Sequence, residues 1–259
     1  MTSLSAPLRH HVAMICVALC LAGCATPPQE PGAWADTAWG RASRLPSQAK
    51  AAPDAQWVHQ HLPGKTAVLF SHERVDGREA VLASSESAAS VLRHRVRIEP
   101  ADLQQLRFSW KVPQLIADAD VGRKDLDDSP VRVILAFEGD RSKFSPRDAL
   151  LSELMRALTG EEMPYATLMY VWCNKRSPGT VVTSPRTDRI RKMVLESGPG
   201  RLNQWLDYER DIRADYERAF GEAPGALVGV AIMTDSDNTK SKAKAWYGPL
   251  RVTTSSTRR

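Results

Sequence analysis

The chain has 259 residues, 42% hydrophobic and 25% charged, with a net charge of +5, enough for one or two folded domains. Basic and acidic residues are interspersed, so this mild excess excludes a clustered nucleic-acid footprint. Of its four cysteines, three fall before residue 25 and only Cys173 lies beyond, which excludes a disulfide framework.

At the N-terminus Arg9, His10 and His11 form a short basic region, followed by an apolar run over residues 12–22. That run is too short to cross a bilayer at roughly 20 residues per span. It ends in Leu21-Ala22-Gly23-Cys24, which resembles the lipobox of bacterial lipoproteins. The resemblance implies cleavage before Cys24, acylation of Cys24 on sulfur and on its new amine, and firm anchoring by more than one acyl chain. Ala25 stands where Asp usually marks inner-membrane retention, so the implied address is the outer membrane, facing the periplasm. Residues 1–23 are therefore read as a leader, and the membrane as the first partner.

Residues 24–56 are rich in Ala and Pro and lack both strand and helix periods. They read as a tether lifting the domain off the membrane, with Trp34 and Trp39 expected to pack on the domain or the interface. From Trp57 the texture changes to short apolar or alternating runs broken by turn residues. The runs over 67–71, 79–84, 91–98, 106–112, 131–138, 167–173, 180–183, 192–196, 227–234 and 243–252 are predicted strands. In 91–98 Arg93, Arg95 and Arg97 alternate with His94, Val96 and Ile98, so one face is expected wet and the other buried.

Two helices interrupt the strands. Ser145-Pro146-Arg147-Asp148 is a helix start, followed by an apolar stripe of Leu150, Leu151, Leu154, Met155 and Leu158 and stopped by Gly160. A second helix is predicted over 208–220, where Tyr208, Ile212, Tyr216 and Phe220 are four apart, stopped by Gly221. Strands outnumber helices without βαβ alternation. The fold class is mainly β: residues 57–259 form a single antiparallel β-sandwich with two helical insertions. Residues 226–233, the acid-rich turn 234–239 and residues 243–252 read as strand, loop and strand of a hairpin.

Asp235, Asp237 and Asn238 crowd oxygen acceptors into that turn. Three readings stand: a turn bonding its own backbone, polar-ligand binding, or a hard cation such as a structural calcium, although the spacing is not that of an EF-hand. Arg132, Asp140, Trp172 and Trp246 complete the ligand-binding candidates, since indole rings stack on sugar faces while polar neighbours fix orientation. Glu138 and Asp140, two apart, form a candidate carboxylate pair for glycoside hydrolysis. No Gly-x-Ser-x-Gly, phosphate loop or His-Glu-x-x-His occurs, and no cofactor is expected. His59 and His61 could pair on a metal but lack an obvious third ligand.

Several stretches together resemble a bacterial family known as domain of unknown function 3047. They are Ser109-Trp110-Lys111-Val112, Asp127-Asp128-Ser129-Pro130-Val131-Arg132-Val133, Phe137-Glu138-Gly139-Asp140-Arg141 and Leu158-Thr159-Gly160-Glu161. The likeness continues through Met163-Pro164-Tyr165-Ala166-Thr167-Leu168-Met169-Tyr170-Val171-Trp172, Glu196-Ser197-Gly198, Glu209-Arg210-Asp211, Phe220-Gly221 and the C-terminal strands. It spans roughly residues 68–252. One position departs: Pro249 stands where an acidic residue is expected, and proline marks an edge or an end of pairing. The layout is similar to carbohydrate-binding sandwiches of jelly-roll or galactose-binding type. Address, aromatic-plus-acid turn and missing nucleophile converge on a non-catalytic glycan binder; a glycan hydrolase, or a scaffold for another envelope protein, are the alternatives.

Overall fold

The computed structural model describes residues 34–45 and 57–255. The expected leader, Cys24 and most of the expected tether lie outside the described residues. The strands are β1 (Trp57–His61), β2 (Leu69–Val75), β3 (Arg78–Glu86), β4 (Ala89–Ile98), β5 (Leu103–Lys111), β6 (Ser129–Phe137) and β7 (Ala166–Cys173). They continue with β8 (Val181–Thr183), β9 (Ile190–Ser197), β10 (Leu206–Asp211), β11 (Leu227–Asp235), β12 (Lys242–Tyr247) and β13 (Arg251–Thr254). The helices are α1 (Ala38–Ala42), α2 (Pro146–Thr159) and α3 (Ile212–Phe220).

The strands make two sheets packed face to face. One has seven strands in the order β1-β4-β11-β6-β7-β9-β8; the other has six, in the order β10-β5-β12-β3-β2 with β13 beside β5. Every named pair is antiparallel except β7 with β9. The inner faces supply one core: Leu92 and Ile98 of β4, Val230 and Ile232 of β11, and Tyr170 and Trp172 of β7 meet Val81, Phe108, Trp110 and Tyr247 of the other sheet. The sandwich expected from alternation is the observed fold.

The C-terminal hairpin is not observed. β11 pairs with β4 and β6, whereas β12 pairs with β3 and β5 in the opposite sheet. β11 is buried at eight of its nine positions, which suits a strand with neighbours on both edges. The acid-rich loop is thus an arch between sheets. The run 243–252 also divides: Pro249 removes a backbone donor, so pairing stops at Tyr247 and resumes at Arg251, where β13 takes over beside β5.

Two more boundaries move. Residues 206–211 are strand, and α3 begins only at Ile212, where Asp211 caps Ala214 N. Tyr208 belongs to the strand because its ring packs on Phe108 and Trp110 of the neighbouring β5. Part of the expected tether belongs to the domain. Trp34 and Trp39 are buried, and Trp39 packs on Trp57 with ring centroids 4.8 Å apart. Backbone bonds between Arg44 and both Leu250 and Val252 hold this segment along β13.

Candidate functional site

The outer face of the seven-stranded sheet has two parts. One is an open groove of about 920 Å³. Its floor includes the small residues Ala136 of β6 and Gly229 and Ala231 of β11, bordered at one end by Ile134 and Val91. Arg93, Arg95 and Arg97 stand along β4, on the face opposite to the core residues Leu92, Val96 and Ile98. Met155 and Thr159 of α2 contribute a wall, with Tyr165 near one end.

The arginines are held by carboxylates. Arg93 NH1 donates to Glu161 Oε2 at 2.6 Å, Arg95 pairs with the same carboxylate, and Arg97 NH1 donates to Glu138 Oε1 at 2.9 Å. The bond from Arg93 holds the Glu161 carboxyl below its usual range, against the opposing effect of desolvation. Tyr165 is fixed from behind: its hydroxyl donates to Glu222 at 2.7 Å and its ring stacks on Phe144 at 5.7 Å.

The second part lies under the loop of residues 112–128. Val121 of that loop packs on Val171, Cys173 and Val194. Beside it, Arg132 donates to Asp127 (O at 2.9 Å, Oδ1 at 3.0 Å) and to Asp235 Oδ1 at 3.2 Å. Lys192 Nζ donates to Asp127 Oδ2 at 2.5 Å and to Val121 O at 2.7 Å. All four side chains are buried. Burial alone would lower Arg132, but Asp235 and Asp127 hold it above its ordinary value. Burial, then Arg132, depress Lys192 to about 8 despite Asp127. Burial raises Asp235 to about 6, outweighing Arg132, with Asp128 and Asp127 adding to the rise.

The candidates named from sequence scatter over these regions and elsewhere. Arg132 and Asp235 meet, but inside the protein. Trp172 sits in the core, its Nε1 donating to Gly198 O at 3.0 Å, because its strand is covered on both faces. Trp246 lies on the other sheet, tied to Glu73 at 2.9 Å with Lys111 Nζ 6.0 Å from its ring. The expected shared cleft of Arg132, Asp235, Trp172 and Trp246 is therefore not formed. Asp140 caps the turn at Ser142, whose hydroxyl and then N–H hold its carboxyl below the usual range. Glu138 alone of the set lines the groove.

The acid-rich arch is internally bonded. Asp128 accepts from Asn238 Nδ2 at 2.8 Å and from Thr239 N and Oγ1 at 2.7 and 2.6 Å, while Asp237 pairs with Lys65. One oxygen each from Asp128, Asp235 and Asp237 falls within 4.8 Å of the others, a set of hard ligands that already carries protein donors. His59 bonds Ser90 Oγ at 2.8 Å beside His61, and burial, then His61, lower its pKa. Lys192 and Asp128 carry no local sign of their roles, because Lys192 lies 65 residues from Asp127 and the donors to Asp128 lie 110 to 111 residues away, whereas Asp127 stands only five residues before Arg132. The three alternating arginines of β4 were a legible signal; the partner Glu161 was not.

Residues 55–251 match the model of a family described as "Protein of unknown function (DUF3047)". The chain belongs to this family. The matched span of the DUF3047 domain contains both the groove and the buried charge cluster and omits the docked segment 34–45. No curated protein matches the chain. Among solved structures it is similar to the xyloglucanase domain of NopAA, a type three effector from Sinorhizobium fredii, in complex with cellobiose. That likeness has 10% identity and a TM-score of 0.40, covering 82% of this chain and 99% of that one. It is also similar to winged bean acidic lectin complexed with methyl-alpha-D-galactose, at 8% identity and a TM-score of 0.32, over 80% of this chain and 96% of that one.

Proposed function

We propose that this DUF3047 chain is a non-catalytic glycan-binding lipoprotein, anchored through Cys24 to the periplasmic face of the outer membrane, whose ligand lies along the groove on β4, β11 and β6. The observation that carries the reading is a small-residue floor flanked by pre-paired guanidinium and carboxylate groups. Such planar groups offer donors and acceptors in fixed geometry to vicinal hydroxyls. Because the pairs are already formed, little side-chain freedom is lost on binding. Gly229, Ala231 and Ala136 let a sugar ring approach the sheet. Arg93, Arg95, Arg97 and Arg141 balance Glu99, Glu138, Glu161 and Glu162 around the groove, which favours a neutral glycan over a polyanion.

The same pairing argues against hydrolysis. Glycosidases need one carboxyl that keeps its proton and a second that does not. Arg93 favours the ionised form of Glu161, and Glu138 is bound by Arg97. The anchor rests on the lipobox resemblance. Only residues 25–33 separate Cys24 from the buried Trp34, so an acylated chain would hold the domain within about 35 Å of the bilayer.

The test is polysaccharide binding by the purified chain against neutral envelope and plant-type glycans. Doubly substituted Arg93→Ala/Arg95→Ala should lose at least about tenfold in affinity, while Trp246→Ala binds as before. Unchanged binding by the double variant, or new reducing ends released from the glycan, would sink the reading. Capture of an envelope protein with no glycan bound would make the chain a scaffold instead. Metabolic labelling with palmitate, abolished in Cys24→Ala, tests the anchor separately.

A further inference from the structure

The groove changes character along its length. At one end its lining is apolar: Val91 of β4, Ile134 of β6, Ala231 of β11, and Leu62 just after β1. These residues belong to a hydrophobic cluster with Ala89, Met169 and Met233 that is separate from the core between the sheets. At the other end stand Arg97, Glu99 and Glu138. Strand register fixes this direction. β4 and β6 both pair antiparallel with β11, so they run the same way across the groove. Val91 precedes the arginines of β4, and Ile134 precedes Glu138 on β6. From Val91 to Arg97 the strand covers about 20 Å.

Methionine is concentrated on this face. Five methionines lie beyond residue 24, and four of them stand here: Met155 and Met163 line the groove, while Met169 and Met233 belong to the apolar cluster. The fifth, Met193, lies in the core between the sheets. Unbranched thioether side chains adapt to the shape of an apolar guest. Of the apolar stripe on α2, Met155 alone lines the groove; Leu150, Leu154 and Leu158 are 71%, 51% and 58% exposed, on the side away from the buried Asp148 and Ser152. A sugar ring at the apolar end would leave its hydroxyls without partners, and an alkyl chain among the ion pairs would offer them nothing. The two ends therefore fit two parts of one molecule.

We propose that the groove takes an amphipathic glycoside, an uncharged sugar bearing one aliphatic chain, with the sugar beside Arg95, Arg97 and Glu138 and the chain over Leu62, Val91 and Ile134. This ligand class rests on the reading of the groove as a glycan site and narrows it. Each methylene moved from water onto the apolar end tightens binding about threefold. The sealed charge cluster borders that end, with Arg132 NH1 3.8 Å from Met169 Sδ. The space beside it suits a single short chain rather than the paired tails of a membrane lipid.

Calorimetry of the purified chain with n-alkyl β-glucosides and β-galactosides, methyl to octyl and each below its micelle concentration, reads the effect. Affinity should rise about threefold per added methylene until the apolar end is filled. A sugarless amphiphile of equal chain length, n-octyl tetraethylene glycol, should bind at least about tenfold more weakly than the octyl glycosides. Val91→Ser and Leu62→Ser, at half-buried positions outside the main core, should remove the gain with chain length and leave methyl glycoside binding as in wild type. Leu154→Gln, on the outer side of α2, should change neither. No gain from methyl to octyl, a gain that persists in both serine variants, or a gain lost in Leu154→Gln overturns the proposal, as does equal binding of the sugarless amphiphile. Polysaccharide binding that requires Arg93 and Arg95 while the alkyl chain adds nothing overturns this ligand class alone and leaves the glycan reading standing.

Discussion

Arg132 and Asp127 meet inside the protein, guanidinium NH2 to Oδ1 at 3.0 Å, with side chains only 3% and 9% exposed. The contact pins the loop of residues 112–128 to β6, and Lys192 reaches the same carboxylate from β9. It closes one end of the outer sheet face and leaves the other end open as the groove.

Removing the shared carboxylate should be costly. Asp127→Ala leaves two buried cations short of a partner, and breaking a buried pair typically costs about 3–5 kcal/mol. Lys192→Met removes a charge that burial already disfavours, and Asp127 keeps Arg132, so its cost should be smaller, about 1–3 kcal/mol for the buried acceptors of Asp127 and Val121 left without a donor. Urea unfolding of both variants would measure the difference, and equal losses would contradict the shared-carboxylate account.

The same cluster predicts a pH dependence. Asp235, raised to about 6 from 3.8, holds its proton more tightly in the folded chain. Its contribution is complete below pH 3.8 and is lost as pH rises through 6. Lys192, lowered to about 8 from 10.5, sheds its proton more readily in the folded chain. Its contribution is complete above pH 10.5 and is lost as pH falls through 8. Each shift corresponds to a few kcal/mol at most, on the order of 3. The stability–pH curve of Asp235→Asn should flatten between pH 4 and 6, and that of Lys192→Met between pH 8 and 10.5. Curves parallel to wild type in both windows would refute the assignment.

Two glycines at the groove should respond oppositely. A methyl on Gly225 would run into the Glu138 carbonyl oxygen, a backbone atom that cannot step aside. Gly225→Ala should therefore cost about 1–3 kcal/mol by overpacking. At Gly229 the nearest atom would be Ala136 Cβ at 3.5 Å, an ordinary contact. Gly229→Ala should melt within a degree or two of wild type, or about 0.5 kcal/mol. Thermal melts distinguish the two, and a neutral Gly225→Ala would show that the chain shifts there.

The docked N-terminal segment should contribute to stability. Trp39 is fully buried between Trp34 and Trp57, so Trp39→Ala should cost about 3–5 kcal/mol. Deletion of residues 1–33, which leaves Trp34 and Trp39 in place, should not lower the melting temperature. A Trp39→Ala chain as stable as wild type would mean that the segment only rests on the surface.

Local pattern was enough for the strands. Period-two alternation placed β4 and an apolar run placed β6, each within two residues, and Ser145, Pro146 and Gly160 bounded α2 where it is observed. Alternation reports which side chains share a face, but not which strands become neighbours. That is why β11 and β12 read as a hairpin and proved to belong to opposite sheets. The stripe on α2 shows the same limit from the other side: its spacing is visible in the chain, but burial depends on what packs against it. Arg132 and Asp235, 103 residues apart, carry no sequence sign that they would neutralise each other in the interior rather than face a ligand. The lipobox resemblance and the strand pattern are written in short-range order. The groove, the sealed charge cluster and the exposed leucines arise only when distant strands are brought together, because burial and ion pairing are properties of neighbours in space.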